Sequence, residues 1–458
     1  MEPPRRFLVP ALLLLLSALL WPDSEVGSVR LQPLEQALRL SGATGEIPLE
    51  LFASSALIFS GYSPEAEPDK AVSPPAEVQL FAGQAQLFAG QAQLFAGQAR
   101  LQEWIARLRE LLTPSGGAVI GRKEAAERIL QLMHEEILTA YREKQTRLDV
   151  LLEEGSYNCV SSAVLYSILA KSAGFTVWAV RTADHAFSRI RVGEEVFDVE
   201  TTSPFGFNPG AKKEFKDHFG RVTGFSYVPP TSGGQRRELG DRELLALILY
   251  NRSAFHAESR EYGRAVEPAL DAYFLLRDKE SYERLIVSFM NLASWEGMQQ
   301  RYAQAVEFLQ RVRAEHQEPR LAKLQEDILH NWVLSLDERG ALDEALALLE
   351  ARLRSGQFSV QEWKSLTLYT YQLKAENVSR RDFAAATALM REAMDKVGRE
   401  PELLRGYEVY AHNQAVKLTA AGRQEEAEGF LLQALQVLPG SPLLLKDRKI
   451  LQSQVKQP

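Results

Sequence analysis

Cysteine is almost absent from this chain: Cys159 is the only one in 458 residues. One thiol cannot close an intramolecular disulfide, and it cannot build a cysteine-rich zinc site. Positive charge is not in excess either. Lysine and arginine number 53 against 60 acidic residues, a net charge of −7. Without a basic cluster interleaved with aromatics, nucleic acid is excluded as the expected partner. His134-Glu135-Glu136 has no second histidine beside it, so it reads as a solvated helix face and not as a metal site. No cofactor and no metal is implied.

Apolar runs long enough to span a bilayer are missing as well. Phe7 to Trp21 is uncharged, but it is shorter than the roughly 20 residues a spanning helix needs. Standing behind Arg5-Arg6, it reads as the core of an export signal. Small residues in a cleavage pattern are lacking near Trp21-Pro22, so residues 1–27 are assigned to a signal peptide or a retained membrane anchor. The expected location is periplasmic, or membrane-anchored and facing outside the cytoplasm.

What is present begins with repetition. Gln-Leu-Phe-Ala-Gly-Gln-Ala occurs three times in tandem, at 79–85, 86–92 and 93–99. Seven residues make two helical turns, which would line Leu80, Leu87, Leu94 and Leu101 along one face. Gly83, Gly90 and Gly97 each cost a helix about 1 kcal/mol against alanine. An extendable helix or a surface insertion fits both facts. Ser63 to Ala76 is rich in Pro, Glu and Ser and reads as a linker, so 28–99 is a helical and linker region. Helices are expected over Arg100–Leu112 and Lys123–Tyr141, separated by Pro114-Ser115-Gly116-Gly117.

The organising stretch follows. Cys159 opens an apolar helical pattern, Val160, Val164, Leu165, Ile168 and Leu169. Ser156 and Asn158 are the candidate caps. A helix N-terminus favours a thiolate, whose free thiol titrates near about 8.5. A strand over Phe175–Val180 comes next, then Asp184-His185-Ala186-Phe187. A hairpin with its turn at Gly193-Glu194 returns the chain past His185 to Asp198-Val199-Glu200. A neighbouring histidine can take the thiol proton, and a carboxylate can hold the imidazole. Asp198 and Glu200 share strand parity, so either can be that acid. Ser203 to Gly210 is a turn-rich aromatic loop suited to bordering a substrate cleft.

The run from Leu148 to Gly210 resembles the transglutaminase-like (papain-like cysteine) superfamily. The likeness rests on Tyr157-Asn158-Cys159, Asp184-His185-Ala186-Phe187 and Val199-Glu200-Thr201-Thr202. It implies an α+β fold, with Cys159 as nucleophile and His185 as general base. The third role aligns with Glu200, and Asp198 is the alternative; Glu stands for the family's Asp, and Thr201 for its Pro. The resemblance implies acyl transfer or amide hydrolysis. It also leaves a second function, a non-enzymatic scaffold that binds peptide without cleaving it.

Val228-Pro229-Pro230-Thr231-Ser232-Gly233-Gly234 marks a domain boundary. Beyond it, Asn251, Asn291, Asn331, Tyr371 and Asn413 recur at steps of 40, 40, 40 and 42. Fourteen residues after each stands Ala265, Ala305, Ala345, Ala385 or Ala427. Residues 240–450 resemble tetratricopeptide repeats, and the resemblance implies an all-α solenoid that binds a protein or peptide partner or substrate. The expected order is therefore a transglutaminase-like domain at 100–230 and a repeat domain at 240–450.

Overall fold

The computed structural model describes residues 36, 38–39, 47–61, 76–113, 120–210, 212–229 and 236–455. The apolar run at 7–21, nearly all of the linker and most of the 228–234 boundary lie outside the described residues. The chain is mostly helical with a small antiparallel sheet. It divides into two compact units, Met1–Asn291 and Leu292–Pro458. Among the described residues no helix is long and apolar enough to cross a membrane.

The first unit begins with α1 (Leu49–Gly61) and α2 (Ala76–Leu112). All three heptapeptides lie in α2, which continues without a break into the helix expected from Arg100. Next is α3 (Arg122–Leu132), extended by one π turn, Met133–Ile137. The single helix expected over 123–141 therefore ends early. Leu138 turns extended, and Thr139 N–H donates to the Gly155 carbonyl at 2.8 Å. That junction starts a two-stranded parallel pair, β1 (Ala140–Tyr141) with β2 (Ser156–Tyr157), flanking α4 (Leu148–Glu154). Gly155 has φ 74°, and a Cβ there would stand 2.5 Å from the Ile137 carbonyl oxygen, so only glycine fits.

Helix α5 (Cys159–Ser172) is the spine of the unit. Every residue from Cys159 to Ala170 is buried, which is why its sequence lacks a polar face. It packs on a four-stranded antiparallel sheet: β3 (Thr176–Arg181), β4 (Ala186–Val192), β5 (Glu195–Val199) and, after α6 (Lys213–Thr223), β6 (Arg237–Leu239). The spatial order is β5-β4-β3-β6. Gly193-Glu194 makes the β4–β5 turn, with Gly193 at φ 61°, and sets Arg189 opposite Asp198. The same core includes residues of α7 (Asp241–Glu258) and α8 (Tyr262–Leu276). α9 (Lys279–Met298) follows.

The second unit contains α10 (Tyr302–Glu315), α11 (Pro319–Glu338), α12 (Leu342–Arg354), α13 (Val360–Ser379), α14 (Phe383–Val397), α15 (Pro401–Ala420), α16 (Gln424–Val437) and α17 (Pro442–Val455). Long and short helices alternate; α11, α13 and α15 have 20 residues each, and α12, α14 and α16 have 13, 15 and 14. That alternation accounts for the repeat length. The alanine of each unit is the fourth residue of its short helix. Ala265, Ala305, Ala345 and Ala427 are buried there. In the remaining unit Asp382 caps α14, the helix starts at Phe383, and the fourth residue is Ala386. Ala386 is fully buried and Ala385 only half-buried, so the sequence register is one residue out in that unit.

The corrected register is testable. Ala386→Leu should overpack the helix pair and destabilise the second unit by about 1–3 kcal/mol, while Ala385→Leu should be tolerated. Thermal unfolding of the full-length variants, followed by limited proteolysis, reads the difference. Equal tolerance of both would mean that Ala386 does not set the helix approach.

Candidate active site

The geometry begins at the β2–α5 junction. Asn158 is extended (φ −127°, ψ −173°), and its Oδ1 accepts from the N–H groups of Val160 and Ser161, each at 3.0 Å. Ser161 Oγ accepts from Asn158 N–H at 2.9 Å, completing a capping box. Asn158 Nδ2 is also committed, donating to the Glu143 carbonyl at 2.9 Å. Of the two candidate caps, Asn158 fills the role and Ser156 sits in β2. The cap occupies the second and third helical N–H groups. Cys159, the first helical residue, has among the described residues no backbone partner for its N–H, which stands at the positive end of the helix dipole.

His185 immediately precedes β4. Its Nε2 is 2.9 Å from Glu200 Oε2, and among the described residues its buried Nδ1 makes no hydrogen bond of ordinary geometry, while the Cys159 sulfur is near enough to act on the ring. Phe219 meets the ring edge-on at 5.1 Å, and Phe225 lies 5.8 Å away, so one flank of the imidazole is dry. His185 and Cys159 line one cavity of about 200 Å³ together with Tyr141, Asn158, Leu247 and Tyr250. Burial alone pushes the imidazole pKa down. The Glu200 carboxylate and then the Cys159 thiolate outweigh it, and the pKa stands well above the ordinary histidine value. Nε2 held by a carboxylate and Nδ1 turned free toward a thiol is the polarity a cysteine–histidine pair requires.

Glu200 is fully buried, and both its oxygens are engaged. Oε1 accepts from Thr202 N–H at 3.2 Å and Thr202 Oγ1 at 2.8 Å, while Oε2 faces His185. The residue lies past the end of β5, in a turn closed by Glu200 N–H donating to the Gly206 carbonyl at 2.9 Å. A Cβ on Gly206 would stand 1.9 Å from the Glu200 carbonyl oxygen. The loop 203–210, expected to border a cleft, contributes no residue to the Cys159 cavity; it builds the seat of Glu200 instead.

Asp198 has other partners. Arg236 grips it with two bonds of 2.8 and 2.9 Å, Arg189 approaches to 3.0 Å, and the Tyr227 hydroxyl donates to Oδ2. Strand parity makes the two acids equivalent, but the strand ends at Val199 and the alternation stops there. The structure brings Cys159, His185 and Glu200 together and ties Asp198 to the arginines.

The sequence pattern predicts a solvated His134, but the side chain is largely enclosed. The π turn aims its Nε2 at the Thr201 carbonyl, 3.1 Å away, while Glu136 pairs with Arg107 and Glu135 with Arg128. A carbonyl can only accept, so Nε2 carries the proton. Thr201 Oγ1 lies 2.8 Å from Ser162 Oγ on α5, so His134 and α5 clamp the turn that seats Glu200. A helical 3.6-residue count cannot place His134, because the π turn changes the phase; the signal available was Met133 and Ile137 flanking it.

Burial lowers the His134 pKa to about 4, against the favourable Thr201 contact. A folded-state value below the unfolded one means the unfolded chain takes up the proton first as pH falls through about 6.5. Stability should thus be complete above that pH and drain away toward pH 4, by up to about 3 kcal/mol. Urea midpoints over this range should show the slope in the wild type and a flatter one in His134→Gln; an identical slope would remove His134 as its source. In comparisons with family models and with curated proteins, nothing matches this chain.

Proposed function

We propose that the first unit is a cysteine-dependent amide hydrolase or acyl transferase of the transglutaminase-like type. The observation that carries this is the orientation of His185: Nε2 on the Glu200 carboxylate, and Nδ1, among the described residues, left for Cys159 in the cavity they share. Helical repeats in the tetratricopeptide style would hold a protein or peptide partner or substrate, and the N-terminal segment would export the protein or anchor it.

His185 Nδ1 takes the Cys159 proton, and the imidazolium is stabilised by Glu200. The thiolate attacks the substrate carbonyl carbon, and the carbonyl electron pair moves to oxygen. The Cys159 N–H, left free by the Asn158 cap, donates to that oxygen. As the C–N bond breaks, Nδ1–H protonates the departing amine and a thioester remains. Water then gives hydrolysis and an amine gives transfer, His185 accepting the incoming proton in both cases. Tight seating of Glu200 keeps the imidazole aimed through each step.

Two measurements test this reading. Alkylation of Cys159 by iodoacetamide should be fast at and below neutral pH. In His185→Ala it should appear only near the ordinary thiol pKa of about 8.5. Labelling that ignores His185, or waits for unfolding, would leave the peptide-binding scaffold as the function. Separately, Glu200→Gln should lower turnover of p-nitrophenyl acetate by up to about 10⁴-fold, the loss caused by neutralising a triad carboxylate. Asp198→Asn should act on stability, by about 3–5 kcal/mol for a broken buried pair, with turnover per folded molecule retained. The reverse pattern would transfer the orienting role to Asp198.

A further inference from the structure

The cavity offers a second donor for the developing oxyanion. Tyr141 sits on β1, directly opposite Tyr157 in the parallel pair, two residues before Cys159. Arg142 N–H donates to the Tyr157 carbonyl at 2.7 Å, and the Tyr141 ring meets the Tyr157 ring edge-on at 5.8 Å and 81°. Backbone and ring are thus both fixed. The side chain lines the cavity beside Cys159, and among the described residues no hydrogen bond commits its hydroxyl. Asn158, which borders Cys159 directly, is occupied: its Nδ2 serves the Glu143 carbonyl, and its Oδ1 caps α5.

We propose that the Tyr141 hydroxyl is a catalytic residue that donates to the substrate carbonyl oxygen as Cys159 attacks, alongside the Cys159 N–H. This rests on the acyl-transfer reading above. The step is the attack already described. The S–C bond forms, the C=O pair passes to oxygen, and that oxygen accepts from two preorganised donors. When the C–N bond breaks the pair returns to carbon–oxygen, and the phenol is unchanged. Burial, and then the nearby Cys159 and Glu143 charges, raise the Tyr141 pKa, so the phenol stays protonated as a donor needs. A phenol is a suitable donor here because its ring is held by packing and does not need to be ordered when charge develops.

Two reagents separate the roles. Iodoacetamide alkylates the thiolate by displacement and forms no oxyanion, whereas p-nitrophenyl acetate must pass through one. In full-length Tyr141→Phe, the alkylation rate and its pH profile should match the wild type. The acylation burst with p-nitrophenyl acetate should slow by about 10²-fold, with the ester's apparent binding constant unchanged. Equal loss in both reactions would make Tyr141 a structural support, and no loss in either would remove it from the chemistry; each overturns the proposal. A wild-type protein that alkylates normally but is never acylated would fail the acyl-transfer reading itself, whatever Tyr141→Phe does. Circular dichroism of the variant establishes that the fold is retained.

Discussion

A carboxylate with no solvent exposure has to have its charge and lone pairs answered by protein, because burying it bare costs far more than a domain can spare. Glu200 is such a group. His185 answers one oxygen, and the N–H and hydroxyl of Thr202 answer the other. Much of the unit follows from that demand. The chain must leave β5 at Val199 and turn at once, so that Thr202 can reach back. The turn brings the Gly206 backbone against the Glu200 carbonyl, closer than any side chain allows. Ser162 and His134 then pin the turn to α5 and to the π turn. The turn also sets the reach required of residue 200: the glutamate side chain starts from beyond the strand and meets Nε2 at 2.9 Å.

The thiol side of the site is governed by a different constraint, the unpaired N–H groups at the start of a buried helix. Asn158 satisfies two of them and Ser161 returns a bond to Asn158, which fixes where α5 begins. With the first turn fixed, Cys159 projects from a known place relative to β4. The carboxylate seat and the helix cap are linked by Ser162, three residues after Cys159, whose Oγ meets Thr201. Cys159 and Glu200 are therefore referenced to the same helix, and the histidine between them is held by the carboxylate and by the aromatic side chains of Phe219 and Phe225.

Much of this was legible in the sequence because it depends on local rules. The cap at Asn158, the helix start at Cys159 and the turn at Gly193-Glu194 are each set within a few residues. What was not legible depends on distant partners or on a break in periodicity. Strand parity treated Asp198 and Glu200 alike, because the end of β5 is set by the bridge between Val199 and Phe207. Arg236, the partner that claims Asp198, lies 38 residues away. A single π turn hid His134, and the same turn ended the expected helix short of Tyr141. The alanine register slipped at Ala385 because the position of the Asp382 cap, and not the spacing from the preceding anchor, sets the start of α14.

Helix α7 shows how the repeat pattern and the site overlap. In the second unit α11 buries Leu321, Gln325, Ile328, Leu329, Val333 and Leu336, one stripe at helical spacing. α7 instead buries every residue from Leu244 to Tyr250. A helix needs a continuous apolar run only when it is covered on more than one side. α7 packs on α8, as a repeat helix packs on its pair, and also on α1 and α5. Leu247, Tyr250 and Asn251 from this helix face the Cys159 cavity. At its N-terminus Asp241 accepts from Ile47 N–H and from Lys171 Nζ of α5, both at 2.9 Å. The α7 side of the cavity is thus anchored in the same core as α5, the helix that carries Cys159. On this side the width of the cavity is set by core packing, which resists change by even a methylene.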